Sequence, residues 1–287
     1  MALGAARVAP QIAMTAPVVL TAVDRRGVAT VTLNRPEVNN AYDDRIIAGL
    51  GAALSRLDKE AALRLVVLRG NGRHFQAGAD LAFLRRLASA PEAENRAFSE
   101  ATVAAIHALR SFRAPTLALV HGGCFGGGVG MVAACDMAVA SEDAVFALTE
   151  TRWGITPAPV MPALVAALGP RALGRYALTA ERFGAAEALR LGLIHVSCAA
   201  GALDAAAAPL IEGILMAAPE ATAATKRLIR QCRGEAGPEL LAALAAEGAA
   251  RRRLPEAAEG LASFAEKRPP RWYPAADPGA LPGALEE

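Results

Sequence analysis

Two β-branched runs, 18–23 and 28–33, flank Asp24-Arg25-Arg26-Gly27 and predict a β-hairpin. Asn34-Arg35-Pro36 ends the second strand. From 43 to 57 the apolar residues Ile46, Ile47, Leu50, Leu54 and Leu57 recur at helical spacing. The continuous apolar run 63–68 predicts a buried strand, closed by Arg69-Gly70-Asn71-Gly72. A helical segment follows Gly78, and another runs from about 93 to 112. A strand at 116–120, a helix at 129–135 and short strands at 137–140 and 144–148 come next. Beyond Pro157 the pattern reads as helix almost to Pro269, which predicts a helical layer that does not extend the sheet. Strands interleaved with helices over the first two thirds predict an α/β fold. No internal repeat is visible.

Composition narrows the classes. The 287 residues are 54% hydrophobic and 20% charged, which suffices for a core without disulfides and excludes disorder over most of the length. With 30 Lys+Arg against 28 Asp+Glu the net charge is +2, so no basic field argues for nucleic acid or an anionic membrane. The basic side chains are nearly all arginine; Lys59, Lys226 and Lys267 are the only lysines. Cys124, Cys135, Cys198 and Cys232 form no C-x-x-C pair, and His74, His107, His121 and His195 are scattered, so no metal site is expected. No stretch approaches the ~18 unbroken apolar residues of a membrane span. Residues 1–17, broken by Arg7 and Pro10, read as a flexible extension, and 271–287 as a Pro-rich tail. A cytoplasmic protein is expected.

Three local signals carry chemistry. Gly122, Gly123, Gly126, Gly127, Gly128 and Gly130 lie between a strand and a helix. A helix start presents free N–H groups to whatever sits before it, which suits negative charge. A P-loop is excluded, because no Gly-Lys-Ser/Thr follows. Gly128-x-Gly130-x-x-Ala133 matches a relaxed dinucleotide fingerprint, but 122–127 separates it from the strand end where the fingerprint needs its first glycine. Close packing without chemistry is the plain alternative. Ala77-Gly78-Ala79-Asp80-Leu81 is a second small-residue turn entering a helix. Two turns can aim two N–H donors at one oxygen, an oxyanion hole in which each donor supplies ~3 kcal/mol of barrier reduction. The third signal is Glu150, an acid amid apolar neighbours, where burial would raise its pKa toward a useful range. Its plain alternative is a helix-start carboxylate or a partner for Arg152.

The chain resembles the crotonase superfamily, the enoyl-CoA hydratase/isomerase family. Val31-Thr32-Leu33-Asn34-Arg35-Pro36 resembles its opening strand, and 75–81 and 122–136 its two oxyanion-hole segments. Residues 149–154 resemble the catalytic-glutamate segment, and 259–268 the C-terminal signature. The resemblance implies a spiral of β-β-α turns (18–205) with a helical C-terminal region (206–270) that drives homo-trimers or hexamers. It implies that Ala79 and Gly127 donate to the thioester oxygen of an acyl-CoA and that Glu150 is the acid–base. It further implies that Ala77, Asp80 and Leu81 line the coenzyme A channel, with Phe264 and Lys267 at its nucleotide end from a neighbouring subunit. Coenzyme A belongs to the substrate, and no separate cofactor is implied.

One departure matters. Where two-glutamate hydratases of this family carry their first glutamate, this chain has Gly130. Its side-chain space is expected to be taken by the acyl group, a water or a neighbouring side chain, and a carboxylate there is expected to face Glu150. Thr149 and Thr151 are candidates to orient water. Gly-Gly-Gly-Val-Gly with the surviving glutamate resembles hydratases of branched glutaconyl-CoA esters, and Arg85, Arg86 or Arg152 could then pair with a second carboxylate. The leading reading is hydration of a 2-enoyl-CoA. A single-glutamate Δ3,Δ2-enoyl-CoA isomerase and a non-catalytic acyl-CoA-binding member are the alternatives.

Overall fold

The computed structural model describes residues 16–232 and 237–274; the expected extension up to 15 and the tail beyond 274 lie outside them. Strands β1 (Val19–Val23) and β2 (Val28–Leu33) form the hairpin, turning where the Asp24 carboxylate accepts from the amides of Arg26 and Val28. Helix α1 (Asp44–Leu57) is capped by Asp43, which accepts from Arg45 and Ile46, and buries Ile46, Ile47, Leu50, Leu54 and Leu57 as the spacing predicts.

The remaining elements are β3 (Leu65–Gly70), α2 (Leu81–Ala88), α3 (Glu92–Ser111), β4 (Thr116–Val120), β5 (Gly123–Phe125), α4 (Gly127–Ala134), β6 (Met137–Ser141) and β7 (Val145–Ala147). They are followed by α5 (Met161–Thr179), β8 (Phe183–Gly184), α6 (Ala185–Arg190), β9 (Val196–Cys198), α7 (Leu203–Met216), α8 (Pro219–Gln231), α9 (Pro238–Arg251) and α10 (Pro255–Ala265). A six-stranded sheet runs β1-β2-β3-β4-β6-β9, parallel throughout except for the hairpin; a three-stranded sheet runs β5-β7-β8. Consecutive units β4-β5-α4 and β6-β7-α5 each give one strand to each sheet and then a helix. This is the β-β-α spiral, repeated in backbone without a repeat in sequence.

Two expectations change. The region after Pro157 is not all helix: β8 and β9 interrupt it, and β9 extends the large sheet by pairing Val196–Cys198 with Val139–Ser141. Three-residue strands are too short for a period to show. β5, too, lies hidden inside the glycine cluster. The boundary expected after residue 205 falls within α7, whose Leu203, Ala207 and Leu215 cover one face of the large sheet against Val28, Leu65, Val67, Leu117, Leu119 and Val139. The other face packs on α1, α3, α4 and α5 in the larger core. Residues Trp272 and Tyr273, in the expected tail, are anchored: the indole donates to Met216 O at 2.9 Å and the phenol to Glu212.

Of the three lysines, Lys226 is buried. Its ammonium donates to Asp136 at 2.6 Å and to Ala114 O at 3.0 Å, and Asp136 also accepts from the amide and hydroxyl of Thr116. The pair ties α8 to the α4–β6 junction and, through Ala114 O and Thr116, to the start of β4. Lys226→Met keeps the aliphatic stem but removes the ammonium's bonds to Asp136 and Ala114 O. Because Asp136 is partly solvated and keeps its Thr116 donors, the expected cost is about 1–3 kcal/mol, the scale of a charged hydrogen bond and not of a stranded buried charge. Thermal unfolding should show the midpoint falling by roughly 5–10 °C; an unchanged midpoint would refute the tie.

Candidate active site

Three parallel segments end side by side. Gln76 bridges Cys124 in parallel, the Phe125 amide donating to Gln76 O at 2.9 Å and the Gln76 amide to Gly123 O at 3.2 Å. β5 pairs β7 with Phe125 opposite Ala147. The residues that follow, Ala79, Gly127 and Glu150, are therefore brought to one end by strand pairing, although about 70 residues of sequence separate the first from the last.

The first turn is held from beneath by polar side chains. Gln76 is fully buried; its Oε1 accepts from Gly78 N at 2.8 Å, and its Nε2 donates to Gly78 O at 2.8 Å and Asn40 O at 3.1 Å. Asn40 donates to the carbonyls of Asn71, His74 and Phe75. Asp80 caps α2, accepting from the amides of Ala82 and Phe83, and lies 3.2 Å from Arg35, which also binds Asp43 at 3.1 Å. Burial raises the Asp80 pKa, but these donors and the guanidinium outweigh it and hold the carboxyl low. The backbone of Tyr42 brackets Ala79, its N–H donating to Gly78 O and its C=O accepting from Asp80 N, both at 2.9 Å. Among the described residues the Ala79 N–H has no acceptor.

The second turn needs its glycines for contact. Gly126 has φ +52° and ψ −122°, open to glycine alone, and donates to Ala147 O at 2.8 Å. Gly127 opens α4, so its N–H has no partner within the helix, and it has none elsewhere among the described residues. Each glycine also seats a different side chain. A Cβ at Gly126 would lie 2.9 Å from Glu150 Oε1, at Gly127 2.6 Å from the Tyr42 ring, at Gly128 2.4 Å from Gln76 Oε1, and at Gly130 2.3 Å from Val160. The cluster is thus both closely packed and the place where the candidate residues meet.

Glu150 begins a single 3-10 turn, Glu150–Trp153, directly after β7. Its Oε2 is buried, and among the described residues it has neither a hydrogen-bond partner nor a cation within salt-bridge distance. Burial pushes its pKa up, its own backbone amide opposing weakly. The other acids of the glycine and 77–81 motifs are committed elsewhere, Asp80 as a cap and Asp136 to Lys226. Glu150 is therefore the acid positioned to exchange a proton beside two free amides, the arrangement that stabilises and protonates an enolate.

The family model described as enoyl-CoA hydratase/isomerase matches residues 24–274. A solved enoyl-CoA hydratase from Shewanella pealeana superposes with a TM-score of 0.85 at 35% identity, over 89% of this chain and 96% of that one. The hydroxycinnamoyl-CoA hydratase-lyase of Pseudomonas fluorescens is 33% identical over 210 residues, 72% of this chain and 76% of its own. The peroxisomal Delta(3,5)-Delta(2,4)-dienoyl-CoA isomerase of Arabidopsis thaliana is 32% identical over 212 residues, 70% and 76%. The chain belongs to the enoyl-CoA hydratase/isomerase family. It is an enzyme of the hydratase/isomerase kind with the crotonase fold.

Against that family's pattern the expected residues fall into two groups. Ala77, Asp80 and Leu81 adjoin the first turn, Ala77 donating to Asn39 O at 3.0 Å and Leu81 exposed at the start of α2. Phe264 is 87% exposed on α10, and Lys267 is exposed just beyond it, so within one chain neither packs on the turns. Arg86 is paired with Glu94 at 2.9 Å and stacked on Phe83; Arg85 and Arg152 are exposed. Thr151 donates to Ala177 O at 3.2 Å, across to α5. At Gly130 the neighbouring side chain takes the space: a Cβ there would lie 2.3 Å from Val160, so a carboxylate at 130 does not simply face Glu150. Arg35, Asn40, Tyr42, Gln76 and Val160 did not stand out in the sequence. The detectable signal was the polar Gln76 between Phe75 and the small-residue turn.

Proposed function

We propose that this enzyme hydrates a 2-enoyl-CoA. The Ala79 and Gly127 amides hold the thioester oxygen. Water adds to C3 while Glu150 takes its proton, giving an enolate; Glu150 then returns a proton to C2 as the carbonyl re-forms. The observation that supports this reading is the unpaired, desolvated Glu150 beside two amides without acceptors. Ala77, Asp80 and Leu81 would flank the pantetheine arm. A non-catalytic binding role would not need a half-buried acid whose Oε2 is shielded and unpaired.

A second reading rests on Val160. With position 130 closed, the site has one carboxylate, and a Δ3,Δ2-isomerase needs only one, removing the C2 proton and returning it at C4. Incubation with crotonyl-CoA, 3-methylglutaconyl-CoA and a 3-enoyl-CoA separates the two readings. Gain of one water supports hydration, and its preference for the methylglutaconyl ester would support the branched glutaconyl class. Unchanged mass from all three esters, with a new conjugated-thioester absorbance from the 3-enoyl-CoA, supports isomerisation and refutes hydration.

The same proposal includes a trimer or hexamer. α9 buries no residue, and Leu241, Leu261 and Phe264 are exposed on the last two helices, more apolar surface than a lone helical pair normally shows water. A neighbouring subunit's Phe264 and Lys267 could then reach the coenzyme A nucleotide. Size exclusion with light scattering should report three or six copies; a monomer at micromolar concentration would overturn this.

A further inference from the structure

We infer that the Tyr42 hydroxyl is a water-binding group of the site, paired across consecutive glycines with Glu150; this rests on the hydration reading. Val160 closes position 130, so α4 supplies no second acceptor for the attacking water. Tyr42 lies where one is needed. A Cβ on Gly126 would lie 2.9 Å from Glu150 Oε1, and a Cβ on Gly127 would lie 3.1 Å from the Tyr42 hydroxyl oxygen. The two oxygens thus bear on neighbouring residues of one turn, one of which carries a free amide. Phe98 stacks on the Tyr42 ring at a centroid distance of 6.3 Å, and its backbone is fixed across Ala79, so the phenol is held in orientation. Among the described residues its hydroxyl makes no hydrogen bond, so it has no structural partner to serve. Burial, then the nearby Glu150 charge, pushes its pKa up to about 12, and it stays a neutral hydroxyl at working pH.

In this arrangement one water O–H donates to Glu150 and the other to the Tyr42 oxygen, leaving a lone pair for C3. As the C3–O bond forms, the proton donated toward Glu150 moves onto the carboxylate, and the C2=C3 electrons pass into the enolate. That proton then reaches C2. Tyr42 itself loses no proton, and the net change is addition of one water.

The test is Tyr42→Phe, which keeps the ring and its stacking. Two rates are compared with wild type: hydration of crotonyl-CoA, and C2 hydrogen exchange of butyryl-CoA in heavy water, which needs Glu150 and the two amides but no attacking water. Hydration should fall about 10- to 100-fold, the scale of a misplaced reactant, while exchange falls far less. Equal loss of both rates would make Tyr42 only a clamp on the turns and overturn the inference, as would hydration at the wild-type rate. A wild-type protein that isomerises but hydrates nothing would instead overturn the hydration reading, and this inference with it. Thermal midpoints of the two proteins exclude a folding defect as the cause.

Discussion

Glu150→Gln is expected to lower turnover at least ~10²-fold, the scale of losing a general acid–base, while acyl-CoA binding changes only a few-fold. The amide is isosteric, so the carbonyl side still fits against Gly126. What disappears is the capacity to take and return a proton. Asp80 and Asp136 cannot substitute, being held by Arg35 and Lys226. A variant that retains a tenth of wild-type turnover would remove Glu150 from the mechanism. The same substitution should raise stability at neutral pH. Burial favours the neutral carboxyl and raises its folded-state pKa. The group therefore adds no penalty below its unfolded pKa, and the cost of the buried charge appears as pH rises through the folded value. The variant's melting midpoint should exceed the wild type's at pH 7–8, and the gap should close toward pH 4. On the kinetic side, the acid limb of the wild-type rate profile should lie above the ordinary carboxylate range, because Glu150 must be ionised to accept the first proton. A variant that is less stable at pH 8 would mean that the unpaired carboxylate is not strained as described. Stability gained where activity is lost is the pattern of a functional group kept at a cost.

Much of this architecture was legible in the chain. The hairpin, α1 and the buried strands β3 and β4 appeared because their runs are long enough for a period or a continuous apolar stretch to register. Strands of two or three residues, β5, β8 and β9, were hidden, since pairing rather than composition defines them. The two small-residue turns and Glu150 were legible as separate signals. Their meeting was not, because it is produced by the parallel bridges of Gln76 with Cys124 and of β5 with β7. The residues that hold the site, Arg35, Asn40 and Gln76, act through backbone carbonyls and amides, a role that leaves no spacing motif. Glycines read as a helix start presenting free amides, or as plain close packing, are also specific seats: Gly126 for Glu150, Gly127 for Tyr42.

Gly130→Glu is expected to yield little folded protein, for a reason that lies in Val160. A Cβ at position 130 would sit 2.3 Å from both Cβ and Cγ1 of Val160 and 2.8 Å from its Cγ2. Real non-bonded carbons do not approach so closely, so α4 or the 158–160 turn must move. At the contact itself Gly130, Val160 and the flanking Val129 and Met131 are all shielded from water, although Ala158 at the start of the turn is exposed, and such packed sites give way poorly. Overpacking of this kind costs about 1–3 kcal/mol, and an unpaired carboxylate forced into an apolar contact adds a desolvation cost of its own. Against a total stability of roughly 5–15 kcal/mol, the sum predicts a melting midpoint lower by at least about 10 °C, or insoluble protein. Gly130→Ala should already show part of the loss, because the first carbon is the one that collides. Val160→Gly removes the three atoms nearest to the added carbon, so the double variant Gly130→Ala, Val160→Gly should recover stability relative to Gly130→Ala alone. If Gly130→Glu instead melts with the wild type and shifts its pH–rate profile, position 130 opens toward the reacting carbon. The first glutamate of the two-glutamate hydratases would then have been lost by substitution alone. If the double variant recovers, the site was closed by packing, and restoring two-carboxylate chemistry requires a Glu at 130 together with a residue smaller than valine at 160.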